Sequence, residues 1–168
     1  MALSFRDVTS IYRKRPNHRL FDHIMSSEGR GSICVGITCS SFDLLHAGHI
    51  LMLQEAAAVC DYLICALQVD PSVDRPEKRK PIQTVAERRL QLLAVEFVDE
   101  VLTYSTEDHL ELVFKDLDLD IRIIGEEYKG KDFTGKEICE SRGIKIHYNN
   151  RRHRYSTTEL IERIQSGR

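Results

Sequence analysis

From position 33 onward the chain alternates between short apolar runs and longer segments whose apolar positions recur at helical spacing. "ICVGIT" (33–38), "YLICALQV" (62–69), "EVLTY" (100–104), "IRIIG" (121–125) and "IKIHY" (144–148) read as strands. Between them "GHILMLQEAAAVC", "VAERRLQLLAVEF", "EDHLELVFKDL" and "GKEICESRG" read as helices, and "STTELIERI" reads as a last one. This alternation predicts an α/β fold, a parallel five-stranded sheet with helices on both faces. Three helix starts carry a local chemical signal. Thr84 with Glu87, Thr134 with Glu137 and Ser156 with Glu159 each have the spacing of a capping box, in which two side chains satisfy otherwise orphan amides.

Residues 1–32 break the pattern. "YRKRPNHR" (12–19) is basic, "LFDHIM" (20–25) has room for one helical turn, and "SSEGRGS" (26–32) is rich in turn formers. They predict an irregular or helical N-terminal arm leading into one domain over 33–168. At 42% hydrophobic and 30% charged residues the composition is that of a folded domain. The net charge of −2 gives no general attraction to nucleic acid or an anionic membrane, so neither is expected as a partner and an anionic ligand must be held locally. Five cysteines, at 34, 39, 60, 65 and 139, lack any C-x-x-C pair and read as thiols of a reducing compartment. With no leader-like stretch and no apolar span of membrane length, the expectation is a cytoplasmic protein.

A parallel sheet of this kind binds ligands beyond the carboxyl ends of its strands. The unusual residues cluster at those ends: Asp43, His46 and His49 after the first strand, Asp70 after the second, Glu126 and Glu127 after the fourth, and 151–158 after the fifth. His46 and His49 share a helical face by spacing, and a helix starting near Gly48 would place its free amides beside them. Two imidazole donors and a helix N-terminus suit phosphate, and a glycine there lets phosphate approach the backbone. Two other readings exist: a histidine at this spot can serve only as a cap, and H-x-x-H can bind zinc, although no nearby cysteine or acidic pair completes a tetrahedral set.

"RPEKRKP" (75–81) gathers Arg75, Lys78, Arg79 and Lys80 in the loop after the second strand, a basic strap suited to a polyphosphate. Arg88 stands in the first turn of the next helix, where the dipole disfavours a cation; an ionic partner or ligand would explain it, and so would a surface salt bridge. "RRHRYSTTELIERI" (151–164) puts Ser156, Thr157 and Thr158 at a helix start behind three arginines and His153, forming a second anion site.

Taken in order, six segments resemble the cytidylyltransferase branch of the HxGH nucleotidyltransferase superfamily. "FDLLHAGH" matches F-D-x-x-H-x-G-H, and "DYLICALQVD" the second strand ending in aspartate. "ERR" matches the helix arginine, "FVDEV" the segment before the third strand, "IIGEEYKGK" the M-G-D-D-W-x-G-K region, and "RRHRYSTTELIERI" the R-T-x-G-I-S-T-T helix start. Within that superfamily the chain is similar to the glycerol-3-phosphate cytidylyltransferases and to the domains that adenylylate heptose 1-phosphate.

The resemblance implies a Rossmann-like fold and transfer of CMP from CTP to a small polyol, amino alcohol or sugar phosphate, with pyrophosphate released and Mg2+ accompanying the triphosphate. The alternative is an ATP-dependent adenylyltransferase acting on a sugar phosphate; a different class is a catalytically weak nucleotide-binding module. Carried over by position, His46 and His49 would stabilise charge at the α-phosphate, one or more of Lys78, Arg79 and Lys80 would grip phosphates, and Arg88 would bind acceptor or nucleotide phosphates. Ser41, Phe42, Asp43 and Gly48 would form the nucleotide loop, Glu126 would stand near the base, and Arg151, Ser156 and Thr157 would hold the base side and outer phosphates. A homodimer is also implied. The chain departs from the pattern at Ser40, a glycine in the family, at Glu96, where glycerol phosphate enzymes carry an acceptor-binding arginine, at His153 to Tyr155, and at "GEEY".

Overall fold

The computed structural model describes residues 33–150 and 153–167; the expected arm over 1–32 and the site residue Arg151 lie outside them. The chain runs β1 (Val35–Ser40), α1 (Ala47–Ala57), β2 (Tyr62–Gln68), α2 (Val85–Ala94), β3 (Glu100–Tyr104) and α3 (Glu107–Asp116). It continues through β4 (Ile121–Gly125), a 3-10 turn (Glu126–Tyr128), α4 (Lys136–Arg142), β5 (Lys145–Asn149) and α5 (Thr157–Gln165). All five strands lie parallel in one sheet of order β3-β2-β1-β4-β5, a Rossmann-like α/β fold as expected. The order reverses between β1 and β4, and the crevice at that reversal is where such sheets open a binding site.

Burial explains why the strands were readable as apolar runs. All seven residues of β2 are buried, because parallel strands are covered on both faces. Phe42, Leu53, Leu63, Leu67, Leu92 and Ile123 are among the residues that fill the core around β1 and β2. Gly36 in β1 is required by packing: a Cβ there would sit 2.6 Å from Cys60 Sγ and 3.0 Å from Ile123 Cδ1.

Register is pinned by aspartates that precede three strands. Asp61, before β2, accepts the Cys34 amide at 2.8 Å; Asp99, before β3, accepts Leu63 at 2.9 Å; and Asp120, before β4, accepts Val35 at 2.8 Å. Each carboxylate closes the lower end of a neighbouring strand, which gives "FVDEV" a structural reason for its aspartate.

Two of the three capping expectations are met at the N-cap. Thr84 and Glu87 form the full reciprocal box, and Ser156 Oγ accepts from the Glu159 amide at 3.1 Å. The third is corrected: α4 starts from Gly135 in a left-handed conformation with no side-chain cap. Thr134 instead donates its hydroxyl to Glu107 Oε2 at 2.5 Å, a tertiary partner that overrides the local pattern. All five cysteines are free thiols. Among the described residues no helix is long and apolar enough to cross a membrane.

Candidate functional site

A cavity of about 280 Å³ opens at the reversal between β1 and β4. Its phosphate-friendly end is built from two helix starts. His46 is the N-cap of α1: the Gly48 N–H donates to its Nδ1 at 3.0 Å. A backbone amide can only donate, so Nδ1 is unprotonated and the ring proton of the neutral form lies on Nε2. Nε2 is 3.3 Å from Thr157 Oγ1, and that hydroxyl donates in turn to the Asp43 carbonyl at 3.3 Å. A chain of hydrogen bonds thus joins the start of α1 to the first residue of α5. His49 stacks on His46, with centroids 4.0 Å apart and planes at 27°, and its ring also meets that of Phe42 at 5.6 Å.

The sequence expectation of free amides at α1 is corrected by this geometry. The His49 and Ile50 amides bond to the His46 carbonyl, and the Gly48 amide bonds to the His46 ring. The capping role weighed for a histidine here is the one His46 performs. Gly48 lines the cavity and also has a packing task. A Cβ there would meet the Tyr155 carbonyl oxygen at 2.7 Å and His153 Cε1 at 2.9 Å, so the segment leading into α5 packs directly on this glycine. Gly48→Ala is expected to displace that segment and lower kcat/KM about ten- to a hundredfold, the scale of a small misplacement at a reacting centre. Helix propensity alone would make the same change favourable, so steady-state kinetics beside a melting curve separate the two effects; unchanged kinetics with a raised Tm would remove the close packing from the account.

Between β1 and α1, Phe42 and Leu44 each hold φ at +48°, the left-handed region that side chains rarely adopt. The surroundings over-determine this loop. Asp43 accepts the Ile82 amide at 2.8 Å and the Gln83 amide at 2.9 Å, while Gln83 Oε1 accepts the Leu44 amide at 2.8 Å. Arg88, only 2% exposed, donates to the carbonyls of Ser41, Gln68, Val69 and Gln83 at 2.7 to 3.1 Å. Burial lowers its pKa, with Asp43 and Asp70 acting in the opposite sense. The expectation that Arg88 faces phosphates is therefore corrected: its guanidinium is turned inward and fastens the ends of β1 and β2. Phe42, fully buried, and Asp43, with both oxygens engaged, likewise stand behind the cavity wall. The carbonyl of Ser41 belongs to the same Arg88 tie, whereas Ser40 lines the cavity.

The basic loop divides. Arg75 is drawn inward, its Nη2 2.8 Å from Gln68 Oε1 and 3.0 Å from Glu107 Oε1. Lys78, Arg79 and Lys80 lie on the exposed stretch between that anchor and the Asp43 anchor at Ile82 and Gln83. Asp70, one of the residues clustered at the strand ends, accepts the Ser72 hydroxyl at 2.6 Å and its amide at 3.0 Å, which hold its carboxyl below the usual range.

Past β4, the 3-10 turn brings Glu127 and Tyr128 to the cavity, while exposed Glu126 is not on its wall. Gly125 leaves room for the Glu127 carboxylate, which lies where a Cβ would be. Ser156 and Thr157 line the cavity as expected, joined by His153 and Tyr155, whose rings stack at 5.4 Å. Cys39 also lines it, and burial pushes its thiol up to about 12, so it is a protonated wall residue at neutral pH. Thr38, Met52 and Asn149 also line it; none stood out in the sequence, Thr38 and Met52 because each sits inside an element whose pattern reads as core, and Asn149 because it falls one residue past the apolar run over 144–148.

The cytidylyltransferase-like family model matches residues 37–163, spanning both helix starts and every strand but the first two residues of β1. The chain belongs to the cytidylyltransferase-like family. Curated relatives include the bifunctional protein HldE of Rhodopseudomonas palustris strain HaA2, 32% identical over 139 residues that make up 82% of this chain and 28% of that protein. Another is the bifunctional protein HldE of Campylobacter curvus, 31% identical over 170 residues, covering 96% of this chain and 35% of that protein. The chain thus spans about a third or less of the length of these relatives. Among solved structures, the lipopolysaccharide core biosynthesis protein of Thermoplasma volcanium superposes with a TM-score of 0.59 at 21% identity, covering 72% of this chain and 99% of that one, a likeness of fold. For this cytidylyltransferase-like chain, the cavity at the β1–β4 reversal is thus the candidate active site of a nucleotidyltransferase.

Proposed function

We propose that this domain transfers an adenylyl group from ATP to a sugar phosphate and releases pyrophosphate. The observation that carries the reaction type is the stacked pair His46 and His49 at the start of α1, with His46 bonded to Thr157 at the start of α5, around one cavity. An oxygen of the acceptor phosphate attacks the α-phosphorus. The new oxygen–phosphorus bond forms as the bond to the bridging oxygen of the β-phosphate breaks, and pyrophosphate leaves with that electron pair. The chain contributes positioning and charge stabilisation. His49 faces the developing charge, the His46–Thr157 link fixes the two helix starts, and Lys78, Arg79 and Lys80 are the cations available to the outer phosphates.

Magnesium enters this reading with the triphosphate, because it keeps most of its waters and needs one or two carboxylates at most. Among the described residues no group of three acidic, histidine or cysteine side chains has the makings of a metal cage, and both Asp43 oxygens are taken by amides. The ion would supply charge neutralisation on the phosphates. A cytoplasmic homodimer belongs to the same proposal.

ATP and a sugar phosphate are favoured by sequence likeness to the HldE proteins over most of this chain, together with the resemblance of the "FDLLHAGH" and "GEEYKGKDFTGKE" stretches to those of heptose 1-phosphate adenylylating domains. CTP is the second reading, favoured by the family to which the chain belongs. The test is magnesium-dependent pyrophosphate release with ATP and, separately, CTP, against sugar, polyol and amino alcohol phosphates. Release that needs both ATP and a sugar phosphate is the expected result. Release with CTP alone selects the second reading, and nucleotide binding without release under any acceptor would leave the binding-module alternative standing.

A further inference from the structure

Asn149 closes β5 and pairs in register with Gly125, the last residue of β4. It is 3% exposed and lines the cavity beside Met52, Ile124 and Tyr128. Its amide is fixed in orientation, since Nδ2 donates to the Met52 carbonyl at 2.9 Å and only the NH2 end can do so. Its carbonyl oxygen Oδ1 is buried and meets no donor among the described residues. A buried acceptor left without a partner costs free energy, and native proteins keep such groups rarely and for a reason. The cavity that Asn149 lines also has the apolar faces of Met52, Ile123, Ile124 and Tyr128 on its wall, whereas His46, His49, Ser156 and Thr157 belong to the starts of α1 and α5. A flat ring bearing one N–H donor fits that environment.

We propose that Asn149 Oδ1 reads the exocyclic amino group of the nucleobase, and so makes the site selective for amino-bearing over keto-bearing bases. Adenine and cytosine both present that amino group; hypoxanthine and uracil present a carbonyl oxygen in its place, which would set two acceptors against each other. The inference rests on the nucleotidyltransferase reading of this cavity and holds for ATP and CTP alike. It also gives the chain a base contact outside the "GEEY" stretch, at a residue the family-like motifs do not single out.

The experiment compares ATP with purine riboside triphosphate, which lacks the amino group, and with ITP, which replaces it by a keto oxygen. It measures kcat/KM by pyrophosphate release in the wild-type protein and in Asn149→Ala. Wild type is expected to lose about 10- to 100-fold on removal of the amino group and more with ITP, the size of one buried hydrogen bond. In Asn149→Ala that discrimination is expected to shrink to about threefold or less, since the acceptor is gone. Equal discrimination in the two proteins overturns the proposal. So does equal use of ATP, purine riboside triphosphate and ITP by the wild type, a result that does not depend on the variant folding. If CTP is the substrate, CTP against UTP and 2-pyrimidinone riboside triphosphate reads the same contact. If no nucleotide supports pyrophosphate release, the reaction reading fails separately, and calorimetric binding of the same triphosphates still decides whether the amino group is read.

Discussion

Replacing His49 by alanine is expected to lower turnover about 10²–10³-fold, the scale of losing one preorganised donor to a developing oxyanion, while thermal stability changes little. The two histidines share a face of α1 but not a structural task. His46 caps the helix through Nδ1 and binds Thr157 through Nε2, whereas His49 lies one position past Gly48 and stacks on the His46 ring. His46→Ala is therefore expected to show the kinetic loss together with about 1 kcal/mol of lost stability, the usual worth of an N-cap. Turnover at saturating nucleotide and thermal unfolding, measured on both variants, separate the roles. Near-normal turnover in His49→Ala would withdraw its place beside the reacting phosphate. Equal destabilisation of the two variants would make His49 a packing residue.

The contrast between these histidines also marks how far the sequence could be read. H-x-G-H spacing placed both imidazoles at one helix start, because helical periodicity is a local property. It did not distinguish the cap from its neighbour, which depends on the backbone entering the helix in an extended conformation at His46. The apolar run of β2 was the most legible because that strand is covered on both faces. The spatial order of the strands was not legible, since nothing local in β4 says that it lies against β1. Glu126 and Glu127 show the same limit at the site. A 3-10 turn of three residues decides which glutamate reaches the cavity, and its phase follows from Gly125 and the packing of the turn. Thr134 fits a capping box perfectly well by spacing and yet bonds to Glu107 from another helix. Asn149 escaped notice because a single amide at a strand end carries no periodicity; only its burial and its unanswered oxygen distinguish it.

Arg88→Ala is expected to destabilise the protein by roughly 3 kcal/mol or more, because removing one side of a buried polar tie strands the groups it served. At about 2–4 °C per kcal/mol for a chain of this size, the melting temperature should fall by about 6–12 °C. The four carbonyls it serves come from the end of β2, the β1–α1 loop and the entry to its own helix, so one guanidinium holds three segments together. Among them is Ser41, immediately before the left-handed Phe42. Without that tie the strained loop can relax, and kcat in the folded fraction is expected to fall as well. Arg88→Lys should recover little, since a single ammonium with three donors cannot span carbonyls that a planar fork reaches. Chemical denaturation with an unchanged m-value would locate the loss in stability rather than in the unfolded state. The opposite pattern, wild-type stability with a raised KM for phosphate substrates in Arg88→Ala, would return this arginine to the ligand-binding role that the resemblance implies. The two roles predict different observables because a group that positions the loop must be felt in the absence of substrate, and a group that binds phosphate need not be.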